Sequence, residues 1–342
     1  MKKLILGIET SCDETSIAIV EGEDKLLSNV VSSQIKIHEK YGGVMPEIAS
    51  RLHVENINIV LDQALKEANV KLEDISAFAF TRGPGLIGAL HVGAQAAKTL
   101  ALTYNVPLIG VHHIAGHIYA NKYIKEISYP CLALVVSGGH TELVYMKKEL
   151  NFKVIGKTQD DAIGEAYDKV ARVLGLTYPG GPQIDRLAKK GKPFYKLPIP
   201  HTKNPLDVSY SGLKTSVINI VHNIEQKGEK INVEDMCYAF QLRAIDLIID
   251  KVILALKKYD DIKQVVVAGG VAANSYLREK LPLRVNKFNK QIDVVVPPMW
   301  CCTDNAAMIT ILASKLYEIK KFDDLSIGVD PNWSIEDALE II

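Results

Sequence analysis

Val111-His112-His113-Ile114-Ala115-Gly116-His117 gathers three of the chain's nine histidines into six residues. The stretch follows an apolar run, Val106 to Val111, that reads as a buried strand. A helix starting here stacks His113 and His117, at i and i+4, on one face a turn apart. Two neutral imidazoles so spaced can grip one transition metal. The competing reading is a solvated helix start with incidental histidines. His112 points to another face, and its reading is structural. A zinc peptidase of the HExxH type needs a glutamate after the first histidine as general base, and that slot is Ile114.

The elements that must position these histidines begin with a strand, Leu4 to Ile8, and a polar turn, Glu9-Thr10-Ser11-Cys12-Asp13-Glu14-Thr15-Ser16. Strands at Ile17 to Val20 and Leu26 to Val31 follow. Hydroxyls and acids at such a tip suit a phosphate or metal-nucleotide loop, and Asp13 and Glu14 could take a proton there; simple solvation gives the same composition. Pro46 opens a helix running to about Ala68, and Ile75 to Thr81 is another strand. Gly83-Pro84-Gly85-Leu86-Ile87-Gly88 leads into a helix ending near Tyr104. That helix is apolar nearly all round, which predicts deep burial or a covering partner.

A second strand–turn–strand follows the histidines: Leu132 to Val136, Ser137-Gly138-Gly139-His140, then Thr141 to Met146. Val265 to Ala268, the glycine turn Gly269-Gly270, a helix from about Asn274, a strand Ile292 to Val296 and a helix near Thr303 repeat the earlier order. Two copies of one α/β unit are expected. The second carries a helical insertion, about 160–260, with helices at Ala162 to Leu174, Gln183 to Lys189, Ser211 to about Glu225 and Val233 to Tyr259. Between them, Asp185 to Lys203 holds six basic residues against one acid, interleaved with Phe194 and Tyr195. This is either an RNA-facing patch or a solvated loop.

The chain's 342 residues favour two domains over one. Forty basic and forty acidic side chains cancel, so RNA contact requires a local patch or a helper protein. Cys12, Cys131, Cys237, Cys301 and Cys302 show no CxxC spacing and read as reduced thiols of a cytoplasmic protein, the last two as packing residues. The apolar run at the start is too short for a signal peptide, and none approaches the roughly 18 residues of a membrane helix.

Taken together, Gly7 to Thr15, Gly83 to Leu86, His113 with His117, Ser137 to Thr141, Gly164 to Lys169, Tyr178 to Pro182, Ser211 to Lys214, Ala268 to Asn274 and Cys302 to Asn305 resemble the TsaD family, once labelled O-sialoglycoprotein endopeptidase. The resemblance covers nearly the whole chain. It implies an actin/hexokinase-like (RNase H-like) α/β fold of two duplicated lobes with a central cleft. The expected division is 1–118, then 119–325 with the insertion, then a tail, 326–342, packing back on the first lobe. The implied activity is transfer of a threonylcarbamoyl group from threonylcarbamoyl-AMP to the adenosine 3′ of the anticodon, in tRNAs reading codons that begin with A. The implied metal ligands are His113, His117 and Asp304, holding one divalent ion, Fe(2+) or Zn(2+). Since the histidines close the first copy of the repeat and Asp304 has the corresponding place in the second, the ion is expected to bridge the two lobes. Val135, Val136, Ser137, Gly138, Gly139, Asp168, Gly181, Asp185 and Asn274 are implied to hold the adenylate. The implied partners are TsaB and TsaE, with TsaC making the adenylate, ATP or ADP as further ligands, and no membrane.

The residues have their own logic. Gly138-Gly139 and Gly180-Gly181 let backbone N–H groups approach an anion or sugar. Asp168 and Asp185 suit a ribose diol, or a solvated helix face. Asn274, after a glycine turn, is also a plain N-cap. The rivals are an ATPase or small-molecule kinase of the same fold and, disfavoured by Ile114, a metallopeptidase.

Overall fold

A computed structural model describes residues 3–338. The chain divides into two compact units, residues up to 126 with 299 onward, and 127–298. The boundary therefore falls eight residues past the expected 118, and residues 299–325, expected in the second lobe, belong to the first unit.

The first unit is built on a five-stranded sheet: β1 (Leu4–Glu9), β2 (Glu14–Glu21), β3 (Lys25–Ser33), β4 (Ala77–Gly83) and β5 (Leu108–His112), in the order β3-β2-β1-β4-β5. The first three form an antiparallel meander, and β4 and β5 run parallel to β1. Alternate residues Leu4, Leu6, Ile8, Ile17, Ile19, Phe78 and Phe80 form one core with Ile57, Val60 and Ala64 of the helix Pro46–Ala68 and Ala94, Ala97 and Ala101 of the helix Ile87–Tyr104. Pro46 stands at the first helical turn as expected.

The opposite face of this sheet is covered by the helix Ala307–Glu318, whose residues 307 to 314 are all buried. Gly7 on β1 makes that approach feasible, since a Cβ there would lie 2.7 Å from Thr310 Cγ2. Ala306 N–H also donates to Ser16 Oγ on β2 (2.8 Å). A helix buried all round must lie on a ready-made apolar face, and β1 and β2 provide one. This is why the chain returns to the first unit after residue 298.

The second unit repeats the plan with β6 (Cys131–Val136), β7 (Thr141–Met146), β8 (Lys153–Lys157), β9 (Gln264–Ala268) and β10 (Asp293–Val295), in the order β10-β9-β6-β7-β8. Again a meander of three is extended by two strands parallel to the first. The same strand order in both sheets bears out the duplication. β8 went unread because Lys153 and Lys157 frame too short an apolar core to stand out. The insertion is helical: Ile163–Val173, Gly180–Ala188, Ser211–Gln226 and Val233–Lys258.

Candidate functional site

Functional residues gather where parallel strands end, the usual ligand-binding edge of open α/β sheets. In the first unit β1 ends at Glu9 and β5 at His112, and the helix His113–Tyr119 follows at once. His112 is its N-cap: Nδ1 accepts from Ala115 N–H (3.3 Å), and Nε2 donates to the Trp333 carbonyl (2.9 Å). The structural reading of His112 holds.

His113 and His117 sit edge to face, ring centroids 4.7 Å apart. Asp304 Oδ1 lies 3.0 Å from His117 Nε2 and 3.6 Å from His113 Nε2. One ligand atom from each residue falls within 4.8 Å of the others. All three residues belong to the first unit, so the expected bridge between lobes is corrected: Asp304 returns with the segment leading into the helix Ala307–Glu318.

Glu9 completes the arrangement, and the sequence reading assigned it no part. It is fully buried at the end of β1, with Oε2 3.1 Å from His113 Nδ1. Its two oxygens also accept from Ser11 N–H and Thr81 Oγ1, both at 2.5 Å. Burial pushes the Glu9 carboxyl up, but His113 beside it wins and holds it below its ordinary value. For His113 burial favours the neutral ring, yet Asp304 and Glu9 outweigh it and raise its pKa to about 9. Two buried imidazoles aimed at one carboxylate call for a cation among them, and without a metal a proton on His113 supplies the charge. A carboxylate–histidine pair behind a two-histidine, one-carboxylate set is the usual design of a divalent transition-metal site. These residues fit such an ion. His117 Nδ1, by contrast, is buried with no protein partner.

Asp13 and Glu14 are not a solvated tip: both are buried, and Glu14 Oε1 accepts from Ser33 Oγ (3.1 Å). Burial, with Asp13 and then Asp304 nearby, raises the Glu14 pKa well above the usual carboxylate range. His53 fixes this loop through Thr15 Oγ1 (2.8 Å) and the Cys12 carbonyl (2.9 Å).

In the second unit the implied adenylate residues fall on two glycine turns and one hydrogen-bonded network. Val135 and Val136 are fully buried at the end of β6, where they pair with Glu142 and Thr141 of β7, so they are core that carries the turn after them. The following turn closes on itself, with Ser137 Oγ accepting from His140 N–H (3.0 Å). Gly138 and Gly139 face open space, as does Gly181. At Gly269, φ +93°, a Cβ would sit 2.5 Å from the Val136 carbonyl, so the two glycine turns lie against each other. Asp168 Oδ1 accepts from Gly180 N–H (2.7 Å) and so shapes the second glycine pair. Asn274 is an N-cap, its Oδ1 accepting from Leu277 N–H (3.0 Å), and its Nδ2 donates to Gln241 Oε1 (2.8 Å). Gln241 Nε2 reaches Asp185 Oδ1 (3.1 Å), which also accepts from Ser275 Oγ (2.7 Å). Gln241 and Ser275 were missed; no spacing links residues 185, 241 and 275.

Asp160 and Asp161 were missed too. Asp160 accepts from Tyr210 N–H (2.7 Å) and from the hydroxyls of Ser209 (2.5 Å) and Ser211 (2.8 Å), capping the helix Ser211–Gln226 from outside. Asp161 binds Lys169 (2.7 Å) and Lys214 (2.9 Å). The Gly164–Lys169 and Ser211–Lys214 motifs are thus tied to one acidic pair.

A two-histidine, one-carboxylate centre beside one duplicated α/β sheet, with glycine turns at the carboxyl edge of the other, defines an actin/hexokinase-like fold carrying a metal-type site. Full-length HypF in its phosphate- and nucleotide-bound form shares the fold, with TM-score 0.61 at 14% identity over 94% of this chain and 47% of that one. So does the activator of 2-hydroxyisocaproyl-CoA dehydratase from Clostridium difficile with bound ADPNP (TM-score 0.53, 14% identity, 96% and 100%). The family model "TsaD: tRNA N6-adenosine threonylcarbamoyltransferase" matches residues 25–311. Proteins of that name from Bacillus thuringiensis (strain Al Hakam) and Listeria monocytogenes serotype 4b are 53% and 51% identical. The alignments cover 97% of both chains for the first and 98% of both for the second. This chain belongs to the TsaD family of tRNA N6-adenosine threonylcarbamoyltransferases.

Proposed function

We propose that the chain transfers the threonylcarbamoyl group of threonylcarbamoyl-AMP to N6 of the adenosine 3′ of the anticodon, in tRNAs reading codons that begin with A. The observation that supports the site assignment is the closure of His113, His117 and Asp304 on one point within a TsaD chain. One divalent ion, Fe(2+) or Zn(2+), would be held there and would supply Lewis acidity toward donor oxygens.

The donor is an activated mixed anhydride, so positioning and charge stabilisation carry most of the barrier reduction. The amine nitrogen attacks the carbamoyl carbon, the carbon–oxygen bond to phosphate breaks, and AMP leaves. Backbone N–H groups of Ser137 to Gly139 and Gly181 are suited to the adenylate phosphate or ribose, and Asp168 and Asp185 to the ribose diol as acceptors, with Asn274 joined to Asp185 through Gln241. The Asp13-Glu14 loop takes the amine proton. Glu14, whose carboxyl is held well above the usual carboxylate range by burial and by Asp13 beside it, takes that proton only from its ionised form.

TsaB is the proposed cover for the outer face of the helix Ile87–Tyr104, where Ile87 and Leu102 are exposed. Val54 and Ile59 are likewise exposed on the helix Pro46–Ala68, which packs beside it. TsaE is a further partner, TsaC makes the adenylate, and ATP or ADP are additional ligands. No helix among the described residues is long and apolar enough to cross a membrane, in keeping with a cytoplasmic setting.

The test is reconstitution: labelled threonine, bicarbonate, ATP, tRNA and the companion enzymes, with and without this chain. Labelled threonylcarbamoyladenosine should form only in its presence. Equal product without it would remove the assignment.

A further inference from the structure

We infer that the C-terminal segment 327–333 is a positioning strap for the metal-ligand helix, acting through the tautomer of His112. The inference rests on the reading of His113, His117 and Asp304 as a metal site.

The strap is seated by backbone contacts. Lys98 Nζ donates to the Ile327 carbonyl, and Arg82 Nε to the Gly328 carbonyl (3.2 Å). Asp330 N–H donates to the Arg82 carbonyl (2.9 Å), and Gly85 N–H to the Pro331 carbonyl (3.2 Å). At Gly83 the strap lies so close that a Cβ would fall 1.8 Å from the Asp330 carbonyl oxygen. Only glycine allows that seat. The Trp333 ring then covers the Arg82 guanidinium at 4.2 Å and the His112 ring at 5.1 Å, and its carbonyl meets His112 Nε2.

A carbonyl oxygen only accepts, so the His112 proton must sit on Nε2. Nδ1 is then a bare acceptor, as Ala115 N–H requires of it. His112 thus caps a seven-residue helix in which both histidine ligands lie within the first five positions. A helix that short depends on its cap and packing for its geometry. The strap fixes the ring, the ring fixes the first turn, and that turn aims His113 and His117.

The experiment is metal affinity by competition with a chromophoric chelator on the full chain, using Zn(2+) alone, alongside urea unfolding of each variant. Gly83→Ala displaces the strap, Trp333→Ala removes its stacking, and His112→Phe removes both hydrogen bonds. Each should weaken Zn(2+) binding about tenfold, the order of effect that loss of an N-cap has on a short helix. His112→Asn, whose side-chain oxygen can cap Ala115, should stay within about threefold of the parent. Val60→Ala, a core change in the same unit, should lower the urea midpoint without moving the affinity. If Gly83→Ala does not fold, Trp333→Ala and the His112 pair decide. Folded strap variants within twofold of a parent whose site is abolished by Asp304→Ala would overturn the strap alone. A parent that binds no Zn(2+) would overturn the metal reading and the strap with it.

Discussion

His117 Nε2 and Asp304 Oδ1 stand 3.0 Å apart across 187 residues of sequence, and both lie in the first unit. The metal-type centre is therefore internal to one sheet-and-helix assembly.

Glu9 is the lever behind the ligands. Glu9→Gln keeps the volume, and its one oxygen can still accept from Ser11 N–H, but it removes the charge that holds His113 Nδ1. Metal affinity should fall by about 10- to 100-fold. Chelator competition measures it, and an affinity within twofold of the parent would show that Glu9 is only structural.

The metal-free protein should lose stability as pH rises. His113 has its folded pKa raised from 6.5 to about 9. Its contribution is fully present below pH 6.5 and is lost as pH climbs through about 9, an effect on the order of 3 kcal/mol at most. Over the same window metal uptake should strengthen, because the ion displaces that proton. Urea midpoints of the metal-free chain at pH 6.5, 7.5 and 9 should decline and should be flatter in His113→Gln. Identical slopes would contradict the assignment.

Asp160 should matter to stability although nothing reactive touches it. Burial raises its pKa, but donors on Ser209, Tyr210 and Ser211 more than offset this and hold it below its ordinary value. Its contribution is present above the ordinary carboxylate range and is lost as pH falls through the depressed pKa. Asp160→Ala should cost about 1–2 kcal/mol at pH 7 by stripping the cap of the helix Ser211–Gln226. Denaturant unfolding that shows no loss would refute this role.

Lys189, Lys190, Lys192 and Lys196 are all exposed, beside an exposed Phe194. Changing the four lysines to glutamate should weaken tRNA binding and flatten its salt dependence, since fewer counterions are released. AMP affinity should not change in a variant that leaves Lys189, which faces Asp185 at 3.7 Å, in place. Filter binding at several salt concentrations reads this directly, and parental affinity at low salt would take the loop out of the RNA interface.

The histidine pair was legible because helical spacing alone puts His113 and His117 on one face. The sheets were legible because strand, glycine turn and helix recur in order. Glu9 was not, since a lone acid after an apolar strand looks like the first residue of a polar turn. Its burial depends on Thr81 and Ser11 closing over it, and Thr81 is far away in sequence. The unit to which Asp304 belongs was also hidden. An apolar helix after β10 fits either sheet by pattern, and the deciding feature is the room above Gly7. Asp185 and Asn274 were named through the family motifs, but Gln241, which joins them, stayed invisible because alone it is an ordinary polar helix residue.

The most direct test of the account is metal content and threonylcarbamoyl transfer measured together for the parent, His117→Ala and Asp304→Ala. The account predicts about one divalent ion per parent chain, and loss of both ion and transfer in each variant, with unfolding still cooperative. Full occupancy and full transfer in Asp304→Ala would contradict it.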